Sequence, residues 1–140
     1  MSLSTVSELT KARLTTMVLV TTFVGLYAGA TESLGLELAI HTLLGTGLLA
    51  AGAAALNQFI ERAADARMER TRERPLPSGK IDPRTALIFG GSASAAGLLY
   101  LAVATNSLTC LVGAFTLVTY LAVYTPLKRV TPWNTLVGAV

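Results

Sequence analysis

Residues 85–127 run for 43 positions without a single Asp, Glu, Lys or Arg. As a helix rising ~1.5 Å per residue, such a run reaches ~64 Å, two crossings of a ~30 Å hydrocarbon core. Asn106-Ser107 near its middle supplies the turn, so a third span is expected over about 85–105 and a fourth over about 108–124. Asp82-Pro83 fits the entry to the third span as an N-cap followed by proline at the first helical position. Two earlier uncharged runs, 14–31 and 38–60, give a first and a second span of 18 and 23 residues. The expected fold is therefore all-α: a polytopic transmembrane helix bundle in a single membrane domain over 1–140, with four full spans and a fifth beginning at Thr135. Lys11 and Arg13 ahead of a run that ends in Ala28-Gly29-Ala30 also imitate a secretory signal. That run exceeds the ~7–15 apolar residues of such a signal, and further spans follow it.

Charge supports this reading. Only 14% of the chain is charged, against about 25% in soluble domains, and 12 of its 19 charged residues lie within 61–84. A soluble globule, a disordered chain and a nucleic-acid-binding surface are all excluded by that distribution. Cys110 stands alone, which excludes a disulfide framework. The basic residues form three groups: Lys11 and Arg13, seven within the 61–84 loop, and Lys128 with Arg129. The intervening turns carry none, so the positive-inside rule puts the amino terminus and the long loop in the cytoplasm. Small residues at four-residue steps, Gly47/Ala51/Ala55 and Gly90/Ser94, permit close helix approach in lipid.

Asn57, Glu61, Asp65, Glu69 and Glu73 recur every four residues across the cytoplasmic end of the second span. On a helix they share a face, and like charges at that spacing need cations nearby. Arg62, Arg67, Arg70, Arg72 and Arg74 interleave with them. One reading is a solvated stretch laced by ion pairs. The other starts from position, because polar groups at a bundle's edge are costly unless satisfied and often mark a site. Carboxylates with an amide on one face suit Mg²⁺, which takes one or two carboxylates and receives other oxygens from a phosphate. Neighbouring arginines hold the same phosphate in forked geometry. His41, the single histidine, lies about four turns from Asn57 and is expected to be hydrogen-bonded within the bundle rather than to ligate a metal.

Asn57-x-x-x-Glu61-x-x-x-Asp65, continuing as Ala66-Arg67-Met68-x-Arg70-Thr71-x-x-Arg74-Pro75-Leu76-Pro77-x-Gly79, resembles the first aspartate-rich motif of the UbiA-type intramembrane prenyltransferases. Within that family the continuation is most similar to the haem-farnesylating branch. Leu9-Thr10-Lys11-Ala12-Arg13 and Tyr124-Thr125-Pro126-Leu127-Lys128-Arg129-x-Thr131-Pro132-x-Asn134 agree with it. The resemblance implies a nine-helix fold and transfer of a farnesyl group from farnesyl diphosphate to a vinyl group of protohaem IX, giving haem O, in a bacterial inner membrane. Another acceptor, or a non-catalytic membrane protein whose loop binds lipid or a partner, is the alternative. By the same resemblance Asn57, Glu61 and Asp65 are the catalytic, Mg²⁺-holding residues, and Arg70, Arg74, Lys128 and Tyr124 contact the diphosphate. The family often has aspartate where Glu61 stands and proline where Ala12 stands. Its second acidic motif lies in a latter half beyond Val140, so the chain is expected to need that half as a partner, and residues 1–140 alone are expected to insert without making haem O.

The topology is directly testable. With Cys110→Ser as background, single cysteines placed at Ser78 and Asn106 should react with an impermeant thiol reagent from opposite sides of sealed vesicles. Equal reaction of both from one side contradicts the four-span arrangement.

Overall fold

The structure is a computed structural model and describes residues 2–133. Four helical stretches are long and apolar enough to cross a membrane. The first of these, α2 (Ala12–Gly29), follows a short helix, α1 (Leu3–Leu9), that begins at Ser2, whose hydroxyl accepts the Thr5 N–H at 3.3 Å. The second, α3 (Leu36–Asp65), has 30 residues and reaches ~45 Å, longer than the hydrocarbon core. α4 (Pro83–Ala104) starts where expected: the Asp82 carboxylate accepts the Arg84 and Thr85 N–H groups at 2.9 and 3.4 Å. Asn106 caps α5 (Ser107–Val118) by accepting the Thr109 N–H at 2.7 Å. α5 continues through a π-helical segment (Thr119–Tyr124) into a last turn, Thr125–Leu127, completing the fourth stretch. The fifth span expected from Thr135 lies outside the described residues.

The sequence placed the end of the second span at Ile60 and began the loop at Glu61. Helix α3 instead runs on to Asp65, and the connecting segment begins at Ala66. Charge marks the edge of the membrane, not the end of a helix, and Glu61-Arg62-Ala63-Ala64 are good helix formers. The helix therefore carries Glu61 and Asp65 out of the apolar slab on a rigid rod. Glu69 and Glu73, in the same four-residue series, come after the helix has ended and share no face with them.

Helices α3 and α4 make the main packing contact. Along α3 the buried positions Gly45, Leu49 and Gly52 face Gly90, Ser94, Gly97 and Leu101 of α4. A Cβ on Gly52 would lie 2.6 Å from the Ser94 backbone nitrogen, and one on Gly97 would lie 2.7 Å from that of Leu49. The two backbones touch there with nothing between them, as small residues allow in lipid. Gly90/Ser94 thus behaves as expected. Gly47 does not: it faces Leu19 of α2 at van der Waals distance, and the close stripe on α3 is the neighbouring one.

Beyond the end of α3 the connecting segment folds back. Leu76 and Ile81 are buried with Leu9, Ala55 and Ala86, flanked by Phe59 and Phe89. Thr71 Oγ1 donates to the Asp65 carbonyl at 2.9 Å, and Gly79 turns the chain at φ +74. This small core, rather than the membrane, fixes the segment that bears Arg74.

The α3–α4 contact yields a paired test. Gly52→Val should destabilise the chain by about 1–3 kcal/mol through overpacking, while Gly91→Val, at a position with open space around its Cα, should not. Thermal melting in detergent reads the difference; equal loss in both variants contradicts the contact.

Candidate functional site

Asn57, Glu61 and Asp65 occupy one face of α3 at successive turns and are 3%, 6% and 5% exposed. Burying charge demands compensation, and each carboxylate has one cation. Asp65 Oδ2 accepts from Arg74 Nη1 at 2.7 Å, and Glu61 Oε1 lies 3.4 Å from Lys128 Nζ. The second Glu61 oxygen, Oε2, accepts from Asn57 Nδ2 at 2.9 Å. Asn57 Oδ1 in turn accepts the hydroxyl of Thr125 at 2.7 Å. Three distant stretches meet here: the end of α3, the folded connection through Arg74, and the end of the fourth span through Thr125 and Lys128.

Of the residues singled out from the sequence, the structure thus brings together Asn57, Glu61, Asp65, Arg74 and Lys128. Arg70 is exposed and, among the described residues, pairs with neither carboxylate; the helix ends before it, so it no longer shares their face. Tyr124 stacks on Tyr120 with ring centroids 5.7 Å apart and makes no hydrogen bond to the carboxylates among the described residues. His41 is hydrogen-bonded as expected: Nδ1 and the Tyr100 hydroxyl are 2.6 Å apart, and Nε2 is 3.7 Å from Glu37.

Three participants escaped the sequence reading. Thr125 was visible only as part of a motif. Gln58, 1% exposed, donates through Nε2 to the Glu8 and Leu9 carbonyls at 2.9 and 3.0 Å, clamping the end of α1 onto α3. That clamp precedes Lys11, whose backbone sits in the left-handed region at φ 47, rare for a residue with a Cβ. Lys11, read above as a topology signal and as part of a supporting motif, lines a cleft of about 510 Å³ with Glu8, Gln58, Glu73, Arg74 and Lys80. Its pKa falls below the usual 10.5 because burial penalises the ammonium, and Arg74 repels it further; Glu61 and Asp65 pull the other way. Among the described residues it has no carboxylate within ion-pair distance. Glu61 and Asp65 are thus paired with Lys128 and Arg74, and the adjoining cleft adds Lys11 and Lys80 together with Glu8 and Glu73.

A model of the UbiA prenyltransferase family matches residues 18–140. The chain belongs to that family. Among curated relatives, the protoheme IX farnesyltransferase of Solibacter usitatus (strain Ellin6076) is 45% identical over 95% of this chain and 49% of its own length. Proteins of the same name from Koribacter versatilis (strain Ellin345) and Anaeromyxobacter dehalogenans (strain 2CP-C) are 44% and 42% identical, over 95% and 94% of this chain and 44% of each relative. The chain spans about half the length of the curated relatives it matches. No solved structure matches it. Family membership agrees with the resemblance carried by the motif at 57–79, and the all-helical architecture with four apolar spans, as the uncharged runs predicted, is consistent with a bundle of that family.

Lys11 provides the test of the site's electrostatics. Between its lowered pKa and 10.5 the unfolded chain binds more protons than the folded one, so stability rises with pH across that interval. NMR of ¹³C-methylated lysines, assigned with Lys11→Arg, should show Lys11 titrating below 10.5; titration at or above that value contradicts its placement beside Arg74.

Proposed function

We propose that this cluster binds an isoprenoid diphosphate together with Mg²⁺, and that the protein transfers the farnesyl group of farnesyl diphosphate to a vinyl group of protohaem IX. The observation that carries the reading is the single buried face of Asn57, Glu61 and Asp65 with cations converging on it. Among the described residues no group of three or more His, Cys, Asp or Glu side chains could cage a metal. The donor set instead fits an ion that takes one or two protein carboxylates and completes its shell with phosphate and water oxygens. Asn57 Oδ1 accepts one hydrogen bond and retains a second lone pair for such a shell. Cations accompany the carboxylates: Arg74 and Lys128 pair with Asp65 and Glu61, and Lys11 lies in the adjoining cleft with Arg74.

Bound Mg²⁺ supplies neutralisation of the charge that grows on the departing diphosphate. Arg74 and Lys128, held beside the carboxylates, would offer further donors to the same oxygens, electrostatic stabilisation of the departing charge. Lys11, in the cleft beside Arg74, adds a further cation near the same place. The allylic cation left behind must meet the vinyl group before it meets water, which gives a reason to set the cluster at the mouth of a lipid-embedded bundle. Every basic segment lies at the same end of the bundle as the cluster, which supports a cytoplasmic position for that end and for the amino terminus. The bacterial inner membrane is the compartment in which we place the protein, in keeping with relatives that are bacterial.

Equilibrium binding of farnesyl thiolodiphosphate to the protein in nanodiscs tests this reading. Binding should require Mg²⁺ and should weaken at least about 10-fold in Asp65→Ala, as losses around metal-supporting carboxylates do, while Glu61→Asp keeps most of it. Binding that persists in chelator, or that Asp65→Ala leaves unchanged, overturns the proposal and returns the segment to a charged loop that associates with lipid.

A further inference from the structure

Across the fourth span, among the described residues, Thr125 alone is buried, at 1% exposure. Its position is set by the proline that follows. Pro126 has no N–H and would clash with the carbonyl four residues back inside a regular helix. The chain widens into the π segment instead, and the Thr125 backbone N–H bonds the Tyr120 carbonyl, five residues earlier. One residue of extra helical phase turns Thr125 away from lipid and toward α3. π segments of this kind are frequent at functional sites.

The hydroxyl then does something specific. Thr125 Oγ1 lies 2.8 Å from the Tyr120 carbonyl and 2.7 Å from Asn57 Oδ1. It has one proton to give. The Tyr120 carbonyl already accepts a backbone N–H, whereas Asn57 Oδ1 has no other donor among the described residues. The Thr125 hydroxyl is therefore the one donor that Asn57 Oδ1 has among the described residues, shared with the Tyr120 carbonyl. An amide side chain has two nearly isosteric orientations, and its neighbours choose between them. With Oδ1 toward Thr125, Nδ2 faces Glu61, where it donates to Oε2. In the flipped orientation Oδ1 would face a carboxylate oxygen, two acceptors in contact within a buried site.

We propose that Thr125 is the positioning residue of this site: Glu61 selects the orientation of the Asn57 amide, and the Thr125 hydroxyl, donating to Oδ1, holds the amide in place against Glu61. The inference rests on the reading of the cluster as a magnesium diphosphate site, and deepens it by naming what orders its ligands. Thr125 acts through Asn57 and touches no substrate itself.

The test compares Thr125→Val, which keeps the shape and removes the donor, with Thr125→Ser, which keeps the donor. Farnesyl thiolodiphosphate binding is measured in nanodiscs over a Mg²⁺ titration, with the side-chain amide resonances of ¹⁵N-labelled asparagine recorded alongside. Thr125→Val should raise the Mg²⁺ concentration for half-saturation about 10-fold and shift the Asn57 amide signals, and Thr125→Ser should restore both to within about 2-fold of the parent. On an Asn57→Ala background Thr125→Val should add less than about 2-fold, since the residue through which it acts is gone. Should Thr125→Val fail to accumulate, Thr125→Ala carries the same comparison. Unchanged Mg²⁺ dependence in the donor-less variant, while Asp65→Ala abolishes binding, overturns the positioning role and leaves the site reading standing; so does a loss that adds in full to that of Asn57→Ala. If Asp65→Ala is also without effect, the diphosphate reading fails with it.

Discussion

Two carboxylates buried side by side at the end of one helix are the constraint on which this structure turns. Removing the partner of a buried charge costs about 3–5 kcal/mol, so Glu61 and Asp65 oblige other parts of the chain to come to them. The two pairs are not equal. Asp65 and Arg74 are 6% and 32% exposed and in short contact at 2.7 Å, whereas Lys128 is half exposed and stands 3.4 Å from Glu61. Solvent screening leaves the second pair in the range of a surface ion pair, at most about 1 kcal/mol. What fastens the fourth span to α3 is more the Thr125–Asn57 hydrogen bond, fully buried, than the Lys128 charge. The small core of Leu9, Leu76, Ile81 and Ala86 exists in the same service, since it holds Arg74 within reach of Asp65.

The spans themselves were plain in the sequence, because uncharged runs of membrane length have few other physical readings, and Asp82-Pro83 and Asn106 cap as their residue types require. The ends of helices were less legible. Hydropathy stops at Ile60, but helical hydrogen bonding does not, and five more residues of α3 decide which charged groups share a face. For that reason Arg74, brought back by a folded segment, reaches the cluster, while Arg70, closer in sequence, stays in solvent. The close stripe on α3 was misplaced for a related reason: small residues occur on several faces of this helix, and only the partner's position selects Gly45 and Gly52 over Gly47.

Thr125 and Lys11 show what a linear pattern hides. A threonine before a proline near a helix end reads as an ordinary boundary; its role depends on a π turn that shifts the helical phase by one residue. Lys11 reads as a topology marker, and becomes part of a site because Gln58 clamps the preceding helix so that the lysine must adopt a left-handed backbone beside Arg74. Both depend on contacts between residues about 50 or more positions apart, which no local periodicity contains. In chemical terms the outcome is a set of buried carboxylates with cations drawn in from distant parts of the chain, at the end of an apolar bundle.

The central claim is that the metal-bound diphosphate sits at the end of α3 marked by Asn57, Glu61 and Asp65. Mn²⁺, which shares the oxygen preference of Mg²⁺, makes that position measurable by pulsed dipolar spectroscopy against a nitroxide. With farnesyl thiolodiphosphate and Mn²⁺ added to the Cys110→Ser chain in nanodiscs, a label at Ser78 should give a short distance. A label at Asn106, a helix length of ~33 Å away along the 22 residues of α4, should give a long one. Equal distances from the two labels, or no bound Mn²⁺ in the presence of the diphosphate, would contradict the account.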